Sequence, residues 1–210
     1  MSRKALFVTF EGGEGAGKTT LINSVARQLA TQNLYVVKTR EPGSTHLGER
    51  LRELLLNQAS EQPLSPFAEL FLFLAARAQH IQEVVRPALE EGKIVLCDRF
   101  NDSTIAYQGI ARGLGEERVA DLCSFVCQGL KPDLTFYLDI DPSVGLMRAK
   151  REHPTDRIES EDLDFHRQIR EAFLLLAKKE RDRIHVLDAS QSPEIVCAEA
   201  LDYVRRRREF

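Results

Sequence analysis

The sequence predicts an α/β fold in which a parallel sheet carries helices on both faces. Five short apolar runs, at residues 5–10, 34–38, 94–97, 134–138 and 184–187, alternate with longer segments of helical spacing. The first run leads directly into a glycine-rich stretch at residues 11–20 and then into a helical segment, so a strand, a loop and a helix follow one another. With 210 residues, 43% of them hydrophobic, the chain buries one full core, and a single domain over residues 1–210 is expected.

Taken in order, the glycine-rich stretch contains Gly12, Gly17, Lys18 and Thr19 at the spacing G-x-x-x-x-G-K-[ST]. Such a loop turns its backbone N–H groups inward around a phosphate chain. Its lysine reaches the outer phosphates and its hydroxyl holds Mg²⁺. Gly12, Gly13, Glu14, Gly15, Ala16, Gly17, Lys18 and Thr19 are therefore expected to bind a nucleoside triphosphate. The helix after the loop, at residues 18–31, is supported by Leu21, Ile22, Val25, Ala26 and Leu29 on one face. Further helices are expected at residues 46–57, 66–91, 116–128, 143–151, 162–181 and 193–208, the third ending at Gly92. Residues 113–115 and 152–156 read as connecting loops.

In parallel α/β sheets the ligands gather at the carboxyl ends of the strands. There the chain places the phosphate loop, then residues 39–43, then Asp98 and Arg99, and finally residues 188–190. Asp98 closes the apolar run 94–97, as an acidic strand end that helps to hold Mg²⁺ does, and Arg99 adds a fixed fork of donors beside it. Asp139 is a rival acidic strand end; no arginine follows it directly, and residues 139–143 also read as a capped helix start. Arg148, Lys150, Arg151 and Arg157 surround a polar loop. Two readings stay open for them: solvated helix charges, or a lid whose cations close over a transferring phosphoryl group. Most of the apolar side chains at residues 67–76 belong to a core stripe, yet one aromatic with Arg77 a turn later has the form of a base-binding pair.

The formal charge of −3 offers no broad attraction for nucleic acid or an anionic membrane, and no stretch approaches the roughly 20 apolar residues of a membrane span. Four cysteines without zinc-type spacing and a start lacking a signal-peptide pattern fit a reduced, cytoplasmic setting. The five histidines form no metal-binding pair, and the arginines at 205–208 read as a solvated basic helix end.

Several ordered motifs together resemble the thymidylate kinases, over nearly the whole chain: Phe10-Glu11-Gly12 entering the loop, residues 39–43, Phe73 with Arg77, Asp98-Arg99-Phe100, residues 103–108, 131–134 and 156–159. The resemblance implies a P-loop nucleoside monophosphate kinase with a five-stranded parallel sheet of order 2-3-1-4-5. It also implies a homodimer and transfer of the γ-phosphoryl group from Mg-ATP to dTMP. By the same resemblance, Phe73 stacks on thymine, Arg77 donates to its O4, and Thr104 and Gln108 line the base pocket. Tyr107 crowds the sugar 2′ position, Glu14 meets the 3′-OH, and Arg99 and Arg40 address the dTMP phosphate. Residue Pro42 falls where the family places a turn, often with a cis peptide. The variable loop positions Gly13, Glu14, Gly15 and Ala16 carry no basic residue. In the family branch lacking a loop arginine, the catalytic cation comes from a basic, mobile lid, here near residues 148–158, with Arg151 and Arg157 as candidates beside Lys18 and Arg99. Thr19 and Asp98 are the expected metal ligands.

Overall fold

The computed structural model describes residues 5–56, 64–152 and 154–209. Five strands, β1 (Leu6–Glu11), β2 (Val36–Arg40), β3 (Ile94–Asp98), β4 (Leu134–Asp139) and β5 (Ile184–Asp188), form one sheet of order β2-β3-β1-β4-β5. All four pairings are parallel. Each strand runs on beyond its apolar run to end on a charged residue. Ladder pairing carries the backbone that far: Arg40 and Phe10 both stand opposite Asp98, and Asp139 stands opposite Asp188. One rim of the sheet therefore collects Glu11, Arg40, Asp98, Asp139 and Asp188.

The central strand β1 is buried along its whole length, and alternation divides its side chains between two cores. Leu6, Val8 and Phe10 pack with Leu21, Val25 and Leu29 of α1 (Lys18–Ala30) and with Val196, Ala200 and Val204 of α9 (Pro193–Glu209). On the opposite face Phe7 meets Val95, Cys97 and Phe100, and Thr9 shares a 2.7 Å hydrogen bond with Thr135 of β4.

Helix α2 (His46–Leu56) follows the expected segment; its last expected residue, Asn57, lies outside the described residues. The helix expected at residues 66–91 is one helical run with an altered middle: α3 (Pro66–His80), a π-helical stretch (Ile81–Val85) and α4 (Arg86–Glu90). The cause is Pro87. It has no N–H to give, and its ring would clash with the carbonyl four residues back, so the wider turn, in which Arg86 N–H reaches Ile81 O, admits it. Ser65 caps the start of this run, accepting from Ala68 N–H.

Apolar periodicity gives no sign of the next helix, α5 (Asn101–Thr104), which continues as a π-helical stretch (Ile105–Ala111). Its inward face is polar: Asp102, Ser103, Thr104 and Gln108 are all buried. Helices α6 (Glu116–Cys127), α7 (Pro142–Glu152) and α8 (Leu163–Lys179) match expectation within a few residues, with Asp162 capping α8 through Phe165 N–H at 2.8 Å. His153, in the expected loop 152–156, lies outside the described residues. Helix α7 crosses directly over the phosphate loop. A Cβ on Gly15 would lie 2.0 Å from Gly145 O, and one on Gly145 would lie 2.3 Å from Glu14 O, so glycine is required on both sides of the crossing. Among the described residues no helix is long and apolar enough to cross a membrane.

Candidate active site

The phosphate loop leaves β1 at Glu11 and enters α1 at Lys18, with Gly12, Gly15 and Gly17 all at positive φ. Lys18 is buried at its centre, its Nζ donating to Gly12 O at 3.2 Å and Gly13 O at 2.9 Å. Burial, then the neighbouring Arg99 guanidinium, pull its pKa below the ordinary lysine value. Thr19 Oγ1 donates to Asp98 Oδ2 at 3.2 Å, so two hard oxygen donors from α1 and the end of β3 stand side by side. That pair fits Mg²⁺, which takes one or two protein oxygens and completes its shell with phosphates and water.

Arg99 follows Asp98 with φ 67, and this left-handed turn swings its guanidinium back over the loop. Its Nη1 donates to Gly12 O at 2.9 Å and Ser103 Oγ at 3.2 Å, and its Nη2 to Glu14 Oε1 at 2.7 Å. The Tyr107 hydroxyl donates to the same Glu14 oxygen at 3.0 Å. Burial works against the Glu14 charge, but Arg99, Lys18 and Tyr107 outweigh it and hold the carboxyl at about 2.

Two cavities meet at this pair. The larger, about 460 Å³, is lined by residues 14–21 together with Arg40, Asp98, Arg99, Arg148, Gln191 and others. The smaller, about 90 Å³, is lined by Phe73, Arg77, Phe100, Thr104, Tyr107 and Gln108, and also by Glu14, Arg52 and Arg99. Arg77 is buried at its wall. Its Nε donates to Glu41 Oε2 at 2.7 Å and its Nη2 to Thr104 Oγ1 at 3.0 Å, while Glu41 Oε1 lies 2.7 Å from His80 Nδ1 and His80 Nε2 lies 2.6 Å from Thr39 Oγ1. Burial opposes the Glu41 charge, but Arg77 and His80 carry its pKa down. The Glu41–Pro42 peptide is cis.

The expected site residues therefore fall into groups. Residues 14–19 of the phosphate loop, Asp98, Arg99, Phe73, Arg77, Thr104, Tyr107 and Gln108 converge on the two joined cavities, whereas Gly12 and Gly13 line neither and turn their carbonyls to Lys18 and Arg99. Arg40 also reaches the larger one, though its half-exposed guanidinium is paired with Glu49 at 3.0 Å. The two lid candidates do not converge. Arg151 is exposed on the outer side of α7 and lines a shallow groove there. Arg157 donates to Leu55 O at 2.8 Å and Glu69 Oε2 at 2.6 Å and faces neither of the two joined cavities. The segment's cation at the larger cavity is Arg148, three residues after Gly145, which donates to Ala189 O at 3.3 Å. The rival strand end Asp139 is engaged by Arg170, at 2.8 and 2.9 Å.

Sequence reasoning passed over Arg52, whose Nη1 donates to Pro42 O at 3.0 Å and which borders both cavities. A signal exists: Arg52 stands four residues after Gly48 and three before Leu55, the two buried positions of α2.

A parallel sheet of this order, with a phosphate loop after its central strand and a second cavity opening beside that loop, places the chain among the P-loop nucleoside monophosphate kinases. A family model described as thymidylate kinase matches residues 10–200. The chain is 47% identical over 211 residues to the thymidylate kinase of Protochlamydia amoebophila, covering 97% of this chain and 94% of that one. It is 50% identical over 202 residues to that of Chlamydia muridarum, covering 95% and 98%. A crystal structure of thymidylate kinase from Ehrlichia chaffeensis superposes with a TM-score of 0.79 at 35% identity, covering 95% of this chain and 98% of that one. The chain belongs to the thymidylate kinase family, and its activity is that of a dTMP kinase.

Proposed function

We propose that ATP places its triphosphate in the larger cavity against residues 12–19 and that dTMP enters the smaller one, so that donor and acceptor phosphates meet beside Arg99. The observation that carries this reading is that Glu14 and Arg99, bonded at 2.7 Å, border both cavities. Lys18 sits where it meets the outer phosphates, and Arg99 draws the acceptor phosphate toward the donor, holding the two in line. Thr19 and Asp98 hold Mg²⁺, which when bound neutralises charge on the β and γ oxygens. In the smaller cavity Phe73 stacks on the thymine ring and Arg77 donates to O4. Thr104 and Gln108 line the base pocket, Tyr107 crowds the sugar 2′ side, and Glu14 meets the 3′-OH. Arg40 assists with the acceptor phosphate.

The segment at residues 148–158 is the lid. Its geometry favours Arg148 as the cation of the donor side; Arg151 and Arg157 reach the phosphates only if the segment shifts, and Arg157 must first leave Glu69. A loop without a basic residue and a lid rich in arginine support the lid-arginine branch of the family. The exposed apolar side chains Leu54 on α2, Phe67 and Phe71 on α3 and Phe125 on α6 lie on neighbouring helices and support a homodimer through that face. Cysteines that serve as thiol donors, Cys97 to Arg99 O and Cys127 to Asn101 Oδ1, suit a reducing cytoplasm.

A coupled assay of ADP release with dTMP, UMP, dCMP, AMP and GMP, run on wild type and Lys18→Ala, tests the assignment. dTMP should be the preferred acceptor, and the variant should lose roughly a hundredfold or more in kcat. Preference for another monophosphate, or near-normal turnover of the variant, overturns it.

A further inference from the structure

We propose that Glu69 is a positioning residue that sets which nucleobase edge the acceptor cavity accepts, by fixing the side-chain amide of Gln108. The inference rests on the seat of dTMP in the smaller cavity. Glu69 lies on α3, is 1% exposed and does not itself line the cavity. Its Oε1 accepts from Gln108 Nε2 at 2.8 Å, and its Oε2 from Arg157 Nη2 at 2.6 Å. Arg112 adds longer contacts to both oxygens, at 3.3 and 3.4 Å. Burial pushes the carboxyl up, but Gln108, Arg112 and Arg157 together bring it below the ordinary glutamate value, so it is a carboxylate.

A carboxylate only accepts hydrogen bonds. Gln108 can therefore meet Glu69 only through its NH₂ group; a flipped amide would set a carbonyl oxygen against the carboxylate and leave a buried acceptor unpaired. The carbonyl oxygen is the end that remains for the cavity, which Gln108 lines. Arg77 at the same wall has donors alone. The cavity thus presents a donor from Arg77 and an acceptor from Gln108. Thymine offers the reverse pattern on adjacent atoms, an O4 acceptor and an N3–H donor, whereas cytosine has an amine at position 4 and a lone pair at N3. A site built around such polarity rejects the mismatched base because its buried groups go unpaired.

The test measures kcat/KM for dTMP and for dCMP, with the KM for ATP as an internal reference. Glu69→Gln supplies an N–H to which either end of the Gln108 amide can adapt, and the dTMP-over-dCMP ratio should fall at least tenfold with an unchanged KM for ATP. Arg112→Ala removes an ion-pair partner of Glu69 but leaves the contact with Gln108, and should keep the wild-type ratio. In a Gln108→Met background, Glu69→Gln should have no further effect on the ratio. A folded Glu69→Gln enzyme with the wild-type ratio overturns the proposal, as does an effect of equal size in the Gln108→Met background. Should Glu69→Gln fail to fold, Glu69→Asp, which keeps the charge but withdraws it from Gln108, should lower the ratio at least threefold, and an unchanged ratio overturns the proposal. A wild-type enzyme indifferent between dTMP and dCMP would instead sink the seat of dTMP on which the inference depends.

Discussion

Arg99 Nη2 and Glu14 Oε1 lie 2.7 Å apart, joining the residue after β3 to the phosphate loop at the point where the two cavities meet. With Tyr107 and Lys18 this contact holds the Glu14 carboxyl at about 2, although burial works the other way. The folded pKa is depressed, so the pair stabilises the fold above the unfolded value of 4.5, and that contribution disappears as pH falls through about 2. Glu14→Gln has no such charge to lose. Its unfolding free energy should lie below the wild type's at neutral pH and converge with it between pH 4.5 and about 2, in urea titrations at several pH values. At pH 7.5 the loosened Arg99 should raise the KM for dTMP roughly tenfold, in line with the worth of a charge-assisted hydrogen bond. Parallel stability curves down to pH 2 would show that the pair contributes nothing.

Glu11 predicts the opposite slope. Fully buried, it accepts from Phe100 N–H at 2.8 Å and from the Ser103 hydroxyl, while burial and the charge of Asp102 push its pKa up to about 7. The folded protein then binds more protons than the unfolded chain between pH 4.5 and about 7, and this group costs stability as pH rises through that window. Glu11→Gln is neutral throughout. Relative to wild type it should gain on the order of 3 kcal/mol in unfolding free energy between pH 4.5 and 8. A difference between the two proteins that stays constant with pH would refute this.

The contrast between β1 and α5 explains how much of this site was legible in the sequence. The strands alternate or run apolar and the phosphate loop has fixed spacing, so the sheet and the seat of Lys18 and Thr19 could be read directly. Helix α5 and its π-helical continuation could not, because their inward residues Asp102, Ser103, Thr104 and Gln108 are polar and partnered from distant parts of the chain. Those partners, Arg183, Glu11, Arg77 and Glu69, are 27 to 92 residues away, beyond any local periodicity. The resemblance supplied Thr104, Tyr107 and Gln108 for that reason. Glu41 fell within the motif at residues 39–43, but its contact with Arg77, like the whole part played by Glu69 beside Gln108, came only from the structure. In Glu69 a hint was present, a lone carboxylate within the apolar stripe of α3.

The phenylalanines of α3 separate by exposure. Phe73 is half-buried and lines the smaller cavity, whereas Phe71 is 54% exposed and faces away from it. Phe73→Ala should weaken dTMP binding by roughly 1 to 3 kcal/mol, the scale of base stacking on an aromatic ring, with little change in ATP affinity. Phe71→Ala should leave dTMP affinity unchanged and shift sedimentation toward the monomer. Titration calorimetry and analytical ultracentrifugation read the two effects separately, and a loss of dTMP affinity in Phe71→Ala alone would exchange the roles.

Arg148, Arg151 and Arg157 differ in their neighbourhoods and therefore in what their loss should do. Arg148 stands at the larger cavity because Gly145, one turn earlier, lets α7 rest on the backbone of the phosphate loop. Charge developing on the transferring phosphoryl group is best met by a cation held there without reorganisation. Arg148→Ala should therefore lower kcat by roughly a hundredfold at saturating substrates. Arg157 is bound to Glu69 and Leu55 O, so Arg157→Ala should act on the KM for dTMP, through the wall that carries Gln108, more than on kcat. Arg151 points outward, and Arg151→Ala should stay within about twofold of wild type in both constants, the scale of an exposed charge. A hundredfold loss of kcat in Arg151→Ala with little loss in Arg148→Ala would reverse the assignment, and would mean that α7 turns its outer face to the phosphates during turnover.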